Sequence, residues 1–299
     1  MITMKRQAKE TLTALEMVHG DTLEFRLHDG HPTTIELLDT GAEIIETTLQ
    51  QPGVEEPAAR TTYRFWGDFR IDGHERRLER EVGTQHTFYE PWVIGGVRIW
   101  LDAVDAIFGF INETHGPCRT NEFRSHHSPP RRHARLALQD ASLRICPESV
   151  LPWCPLPAGG LKIEMCYRGE DCWMGAYDGA SAHGGLDINH PKGTPLFAPI
   201  ALDDQFLFNS KEMGHNNNRW RGIRRWPDGS QWILQTAHMV RQTVPERQPL
   251  AAGQQYAEGA GVFVGAHEHS HFAFAVLCEG EFIRLDPWIL FRQMYQDAQ

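Results

Sequence analysis

The sequence predicts a mainly β protein in two parts, and three observations carry that expectation. Stretches such as Leu23-Glu24-Phe25-Arg26-Leu27 and Thr62 to Ile71 alternate apolar and polar residues with a period of two, the pattern of half-buried strands. Turn signals follow them closely, among them His28-Asp29-Gly30 and Asp72-Gly73. A stretch rich in Pro and Gly, with Pro147, Pro152, Pro155, Pro157 and Gly159-Gly160, separates the two parts. The expected organisation is a β-rich N-terminal domain over 1–146, a linker over 147–160 and a second β domain over 161–299. A chain of 299 residues can hold two ordinary domains, each large enough to bury a core.

Within the N-terminal part, further strands are expected over Thr33 to Leu38 and Ile44 to Thr48, and the whole suggests a sandwich or a partly open barrel. Two helices are also expected. Leu12, Leu15 and Val18 have partial helical spacing within residues 4–18, and Ala103 to Asn112 follows a strand over Trp92 to Asp102. Ala134 to Cys146 reads as a hairpin turning near Asp140. No ligand cluster stands out on these strands, so a positioning or partly occluding role is expected for this domain.

Composition limits the function classes. The net charge of −10 argues against a general nucleic-acid binder, which would carry a basic patch or stripe. No apolar run reaches the eighteen or so residues of a membrane-spanning helix. Lys5, Arg6, Lys9 and Glu10 interrupt the first twenty residues, so no secretory signal is read there. The pattern fits either a cytoplasmic protein or one whose leader is missing from this sequence. Six cysteines, at 118, 146, 154, 166, 172 and 278, form no Cys-x-x-Cys pair, which disfavours a cysteine zinc site. Cys166 and Cys172 flank a polar turn, and a disulfide between them is expected in oxidising conditions.

The chemistry concentrates in the second part. His183 precedes Asp187 by four residues, with Gly184 and Gly185 between. Even separation puts both side chains on one side of an extended chain, and an imidazole and a carboxylate are both good zinc ligands. Near the C-terminus, His267-Glu268-His269-Ser270-His271-Phe272-Ala273-Phe274 reads as a strand. Alternation places His269 and His271 on one face and Phe272 and Phe274 on the other. Gln231 to His238 reads as another strand ending in a histidine.

In this order the motifs resemble the lysostaphin-type (LytM-like, glycyl-glycine endopeptidase) zinc peptidases. The resemblance rests on His183-x-x-x-Asp187, Gly193-Thr194-Pro195-Leu196-Phe197-Ala198-Pro199, the lone His238 and His269-x-His271-Phe272. It covers roughly residues 175–290. It implies an antiparallel β-sheet peptidase domain and zinc as the cofactor, with His183, Asp187 and His271 as metal ligands. It implies His238 and His269 as catalytic histidines and a peptide or peptidoglycan substrate met outside the cytoplasm. Three ligands plus two histidines also make chemical sense, since a catalytic zinc keeps its fourth position for water. Two positions depart from the family's pattern. Ala273 stands where Glu is common, and Thr236 where Tyr often precedes the lone histidine by two. Both bear on substrate fit.

Two other readings are open. One is a family member without catalysis that regulates another cell-wall hydrolase, although all five site positions are filled here. The other is a cupin-like metal-binding protein, suggested by Gly265, His267 and His269, although no Glu follows at the required spacing. His190 and His267 read as solvent-facing imidazoles, and His115, His126, His127 and His133 as residues of a long polar loop with room for a separate metal site. Residues 209–230, with Trp220, Arg224, Arg225 and Trp226, read as a hairpin tip or as a cleft rim gripping an anionic or amide-rich peptide.

Overall fold

A computed structural model describes residues 2–47, 61–82, 88–107, 130–162, 176–177, 181–214, 218–264 and 267–299. The fold is mainly β, with antiparallel sheets. Strands run in chain order as β1 (Thr3–Gln7), β2 (Thr13–Met17), β3 (Thr22–Arg26), β4 (Pro32–Thr47), β5 (Thr61–Ile71), β6 (His74–Val82), β7 (Trp92–Ile94), β8 (Val97–Val104), β9 (Ala134–Asp140), β10 (Ala176–Tyr177) and β11 (Ser181–Ala182). They continue as β12 (Leu186–Asn189), β13 (Pro195–Phe197), β14 (Asp204–Leu207), β15 (Arg219–Arg225), β16 (Gln231–Ala237), β17 (Arg241–Gln242), β18 (Gln255–Glu258), β19 (Val262–Val264), β20 (His267–Cys278) and β21 (Glu281–Leu285). Helix α1 (Trp288–Asp297) ends the chain.

Two compact units form. One comprises Met1–Pro147 and Met174–Gly184, the other Glu148–Trp173 and Gly185–Gln299. In the first, a five-stranded sheet β1-β3-β4-β5-β6 packs through β4, β5 and β6 on β8 of a four-stranded sheet β2-β9-β8-β7. Phe25, Phe65, Phe69, Trp100, Leu136 and Leu138 are fully buried between them. The β7–β8 hairpin turns on Gly95 (φ +58°) and Gly96 (φ +77°). Two successive left-handed residues suit such a turn, and glycine adopts them without a steric penalty.

The expected helix over residues 4–18 is absent. Those residues form β1, paired parallel to β3, and β2, paired with β9. All five β2 side chains are buried, so sheet pairing overrides the partial helical spacing. Ala103 and Val104, expected to open a second helix, still belong to β8, and residues 108–112 lie outside the described residues. The expected hairpin over 134–146 keeps its first arm as β9. Asp140 then closes a turn by accepting from Ser142 N at 2.9 Å and Oγ at 2.6 Å.

In the second unit, the main sheet runs β12-β20-β16-β15-β14, with β19 and β21 also on β20. A three-stranded sheet β13-β18-β17 accompanies it. One face of the main sheet supplies the core. Phe272 packs edge-on against Trp153 (4.9 Å between ring centroids) and Phe291 of α1 (5.6 Å), and Trp220 stacks on Tyr256 at 3.9 Å. The stretch expected to link the domains contributes here. Trp153 is fully buried, its carbonyl accepts from Phe197 N (2.9 Å), and its indole donates to the Tyr256 hydroxyl (3.0 Å).

The first unit also buries charge. Arg135 donates to Asp102 at 2.6 Å with both side chains at or near zero exposure, and Glu16 lies 3.8 Å from Arg135. Removing one partner of such a pair leaves a desolvated charge, which costs about 3–5 kcal/mol. Asp102→Ala is expected to lower stability by about that amount, toward the low end because Glu16 stays, as measured by urea unfolding followed through intrinsic tryptophan fluorescence.

Candidate metal centre

The antiparallel pairing of β12 with β20 sets Asp187 directly opposite His271 and Asn189 opposite His269. Opposed residues of such a pair share a face. Asp187 Oδ1 therefore reaches His271 Nδ1 at 2.7 Å, and its Oδ2 lies 3.6 Å from His269 Nε2. The carboxylate is bracketed by two imidazoles, and Asp187 and His269 are almost completely buried. His183, also buried, comes in from the chain just ahead of β12. Donor atoms of His183, Asp187 and His271 all lie within 4.8 Å of one another. Two imidazoles and a carboxylate in one group are a donor set that zinc and related divalent ions take, so the residues fit a metal.

The turn between His183 and Asp187 works only with a small residue. A Cβ on Gly185 would stand 2.3 Å from the Phe272 carbonyl oxygen and 2.4–2.5 Å from the His271 ring. The glycine lets the backbone pass against that imidazole.

His238 arrives by a different route. β16 pairs with β20 up to Ala237, which lies opposite His271. The chain then leaves the strand through His238 in the left-handed region, φ +65°, an unfavourable conformation for a residue with a Cβ. Hydrogen bonds hold the exit in place. Gly261 N donates to the His238 carbonyl at 2.5 Å. The buried Asn218 side chain clamps the next residue, accepting from Met239 N at 2.8 Å and donating to Met239 O at 2.8 Å. Gly214 N donates to the same oxygen at 2.7 Å. The His238 ring ends 4.8 Å from that of His269 and 6.2 Å from that of His271. Burial first, then the neighbouring His269, holds His238 well below the ordinary imidazole value. It is neutral at pH 7, and among the described residues its buried Nδ1 has no hydrogen-bond partner.

All five histidine and aspartate positions singled out in the sequence thus fall close together. Asn218 was not singled out, because the run Asn216-Asn217-Asn218 reads as a polar tip; Asn216 and Asn217 lie outside the described residues. The rim reading of residues 209–230 also changes. Trp220 and Trp226 are buried, Trp226 against Trp232 at 5.2 Å, and Arg224 is paired with Glu148. Thr236, standing where the family often has Tyr, faces the core and shares a 2.7 Å hydrogen bond with the Tyr256 hydroxyl.

His190 is not solvent-facing. Its ring lies edge-on to Phe272 at 6.1 Å, and its Nε2 is buried. His133 accepts from His19 N at 2.9 Å, with the two rings 3.8 Å apart. His115, His126 and His127, the side chain of His267, and Cys166 and Cys172 lie outside the described residues. Burial pushes the Cys154 thiol up to about 12, which makes it an inert core residue.

No protein-family model matches the sequence, and no curated protein does. Solved structures are similar to it over differing lengths. The solution structure of lysostaphin is 21% identical, with 33% of this chain and 38% of that chain covered and a TM-score of 0.28. A mutant catalytic domain of the prophage-encoded M23 protein EnpA from Enterococcus faecalis is 16% identical over 45% of this chain and 95% of that one, with a TM-score of 0.32. A zinc-containing peptidase from Vibrio cholerae is 11% identical over 91% and 83%, with a TM-score of 0.31. The chain therefore spans well under half of the lysostaphin structure. At these identities and scores the likenesses carry no argument about chemistry, which rests on the site itself.

Two outcomes follow from the geometry. Gly185→Ala displaces the His271 ring and is expected to weaken zinc binding by about 10- to 100-fold, measured by competition with a chromophoric chelator. The second concerns acid. Burial, then His269, lowers His190 to about 4 from an ordinary 6.5. Because the folded value is the lower one, the unfolded chain takes up the proton first. Stability is full above about pH 6.5 and falls as the pH drops towards 4. A His190→Gln protein is expected to lose about 3 kcal/mol less than the parent over that interval, read from urea midpoints at pH 7 and pH 4.

Proposed function

We propose that this chain is a zinc-dependent endopeptidase that cuts peptide bonds in peptidoglycan cross-links or glycine-rich peptides outside the cytoplasm. The observation that carries the reading is the convergence of His183, Asp187 and His271 in one buried group, with the imidazoles of His238 and His269 beside it. The ordered motifs of the sequence, which resemble those of the lysostaphin-type peptidases, support it. In this reading 161–299 is the peptidase domain and 1–146 a β-rich domain ahead of it.

His183, Asp187 and His271 would hold the zinc. Bound there, zinc supplies Lewis acidity towards a peptide carbonyl and lowers the pKa of a coordinated water. The chain's own residues do the rest. Asp187 and His271 already stand 2.7 Å apart at Oδ1 and Nδ1, so these two donors are gathered in one place by the β12–β20 pairing. His238, neutral and with an Nδ1 that has no partner among the described residues, is in the right state to accept a proton and later return it to a leaving amine. His269 sits between Asp187 and His238 and is placed to donate a hydrogen bond to an oxyanion. The left-handed backbone at His238 and its Asn218 clamp fix the first of these imidazoles before substrate arrives.

The test uses the full-length protein and five alanine variants, with zinc content by mass spectrometry and cleavage of cell-wall sacculi by analysis of the released fragments. His183→Ala, Asp187→Ala and His271→Ala are expected to lose both metal and activity. His238→Ala and His269→Ala are expected to keep near-stoichiometric zinc and lose about 100-fold or more in rate. A His269→Ala protein without zinc would overturn the division of roles. A parent protein that binds no zinc would overturn the reading itself.

A further inference from the structure

The face of the main sheet that carries Asp187, His269 and His271 continues beyond the histidines. Register extends it residue by residue. Ala273 and Ala275 follow His271 at intervals of two along β20. Gln235 of β16 lies opposite Ala273, Arg221 of β15 opposite Gln235, and Arg284 of β21 opposite Ala275. Directly opposed residues share a face, so Arg221, Gln235 and Arg284 stand on the histidine face, across two small alanines.

Gln235 lies between the two arginines. Arg284 donates to Gln235 Oε1 at 3.3 Å. With the amide turned over, the same oxygen accepts from Arg221 instead, at 3.2 Å from Nε and 3.0 Å from a terminal nitrogen. In that orientation both ends of the amide are satisfied, and the neutral Gln235 oxygen is the partner of Arg221. Carboxylates compensate neighbouring arginines. Arg224 meets Glu148, Arg241 meets Glu258 and Arg247 meets Asp204. Arg221 is half-buried, stacked 4.4 Å from the centre of the Phe208 ring, and among the described residues no carboxylate lies within 4.0 Å of it. A half-buried cation over an aromatic ring, bonded to a neutral amide oxygen and with no carboxylate beside it among the described residues, is a ready site for a carboxylate, which guanidinium binds through two parallel hydrogen bonds.

We infer that Arg221, with Gln235 and Arg284 beside it, is a carboxylate-binding subsite that selects substrates carrying an acidic side chain near the bond to be cut. The inference rests on the peptidase reading above and adds a substrate class to it. Two residues along a strand span about 7 Å and two strand spacings about 10 Å. Arg221 is therefore about 12 Å from His271, measured on the backbone. An extended peptide advances about 3.3–3.6 Å per residue, which places the acidic residue about three positions from the scissile bond.

The experiment uses capped pentaglycine peptides with Glu placed at each position in turn, each matched with its Gln counterpart. Relative kcat/KM is read by mass spectrometry from paired competition, and Kd by calorimetry for any pair left uncut. The full-length protein is expected to prefer Glu over Gln by about tenfold or more at one position. Arg221→Gln is expected to abolish that preference with unchanged zinc content, and Arg221→Lys to keep part of it. Equal treatment of every Glu/Gln pair by the parent protein, or a preference that survives in Arg221→Gln, would overturn the subsite. Preferential binding of a Glu peptide without cleavage of any peptide would uphold the subsite and sink the peptidase reading. Cleavage of all peptides without preference would do the opposite.

Discussion

The site depends on one pairing, Asp187 opposite His271 in the β12–β20 ladder. Backbone hydrogen bonds set that register, and a shift by one residue would turn every side chain of β12 to the other face. Asp187 would then leave His271 and His269 together, and Leu186 and Ile188 would leave the core. Burial of those two apolar residues thus holds the carboxylate in place. The same alternation on β20 sends Phe272 and Phe274 into the core and His269 and His271 to the opposite face, so packing and chemistry rest on a single register.

The remaining histidines are placed by exceptions to regular structure. His183 reaches the group because Gly185 lets the backbone run against the His271 ring. His238 reaches it because the chain leaves β16 through a left-handed residue whose neighbour is held by Asn218. Such backbone strain costs of order 1–3 kcal/mol and persists where surrounding structure enforces it. Regular sheet supplies Asp187, His269 and His271, and irregular backbone brings His183 and His238 to them.

What could be read in advance follows from the range of each signal. The spacings of His183 with Asp187 and of His269 with His271 are local, so alternation alone predicts their shared faces. Strands β3 and β5 likewise announced themselves by a period of two. The helix expected over residues 4–18 failed because β1 and β2 are defined by distant partners, β3 and β9. The burial of Asn218, Trp220 and His190 is hidden from local sequence for a related reason. Their burial comes from Met239, Tyr256 and Phe272, all far away in sequence. The run Arg219-Trp220-Arg221-Gly222-Ile223 did carry a usable alternation, with Trp220 turned to the core and Arg221 to the histidine face. Its meaning appears only when Gln235 and Arg284 stand beside it.

The proposed function requires one metal ion between His183, Asp187 and His271. A crystal of the zinc-loaded full-length protein, with anomalous diffraction collected on both sides of the zinc edge, tests it most directly. The expected result is one strong zinc peak at about 2.0–2.2 Å from a nitrogen of His183, an oxygen of Asp187 and a nitrogen of His271, with His238 and His269 outside coordination distance. A zinc peak held by a different set of residues, or none at this position in fully loaded protein, would contradict it.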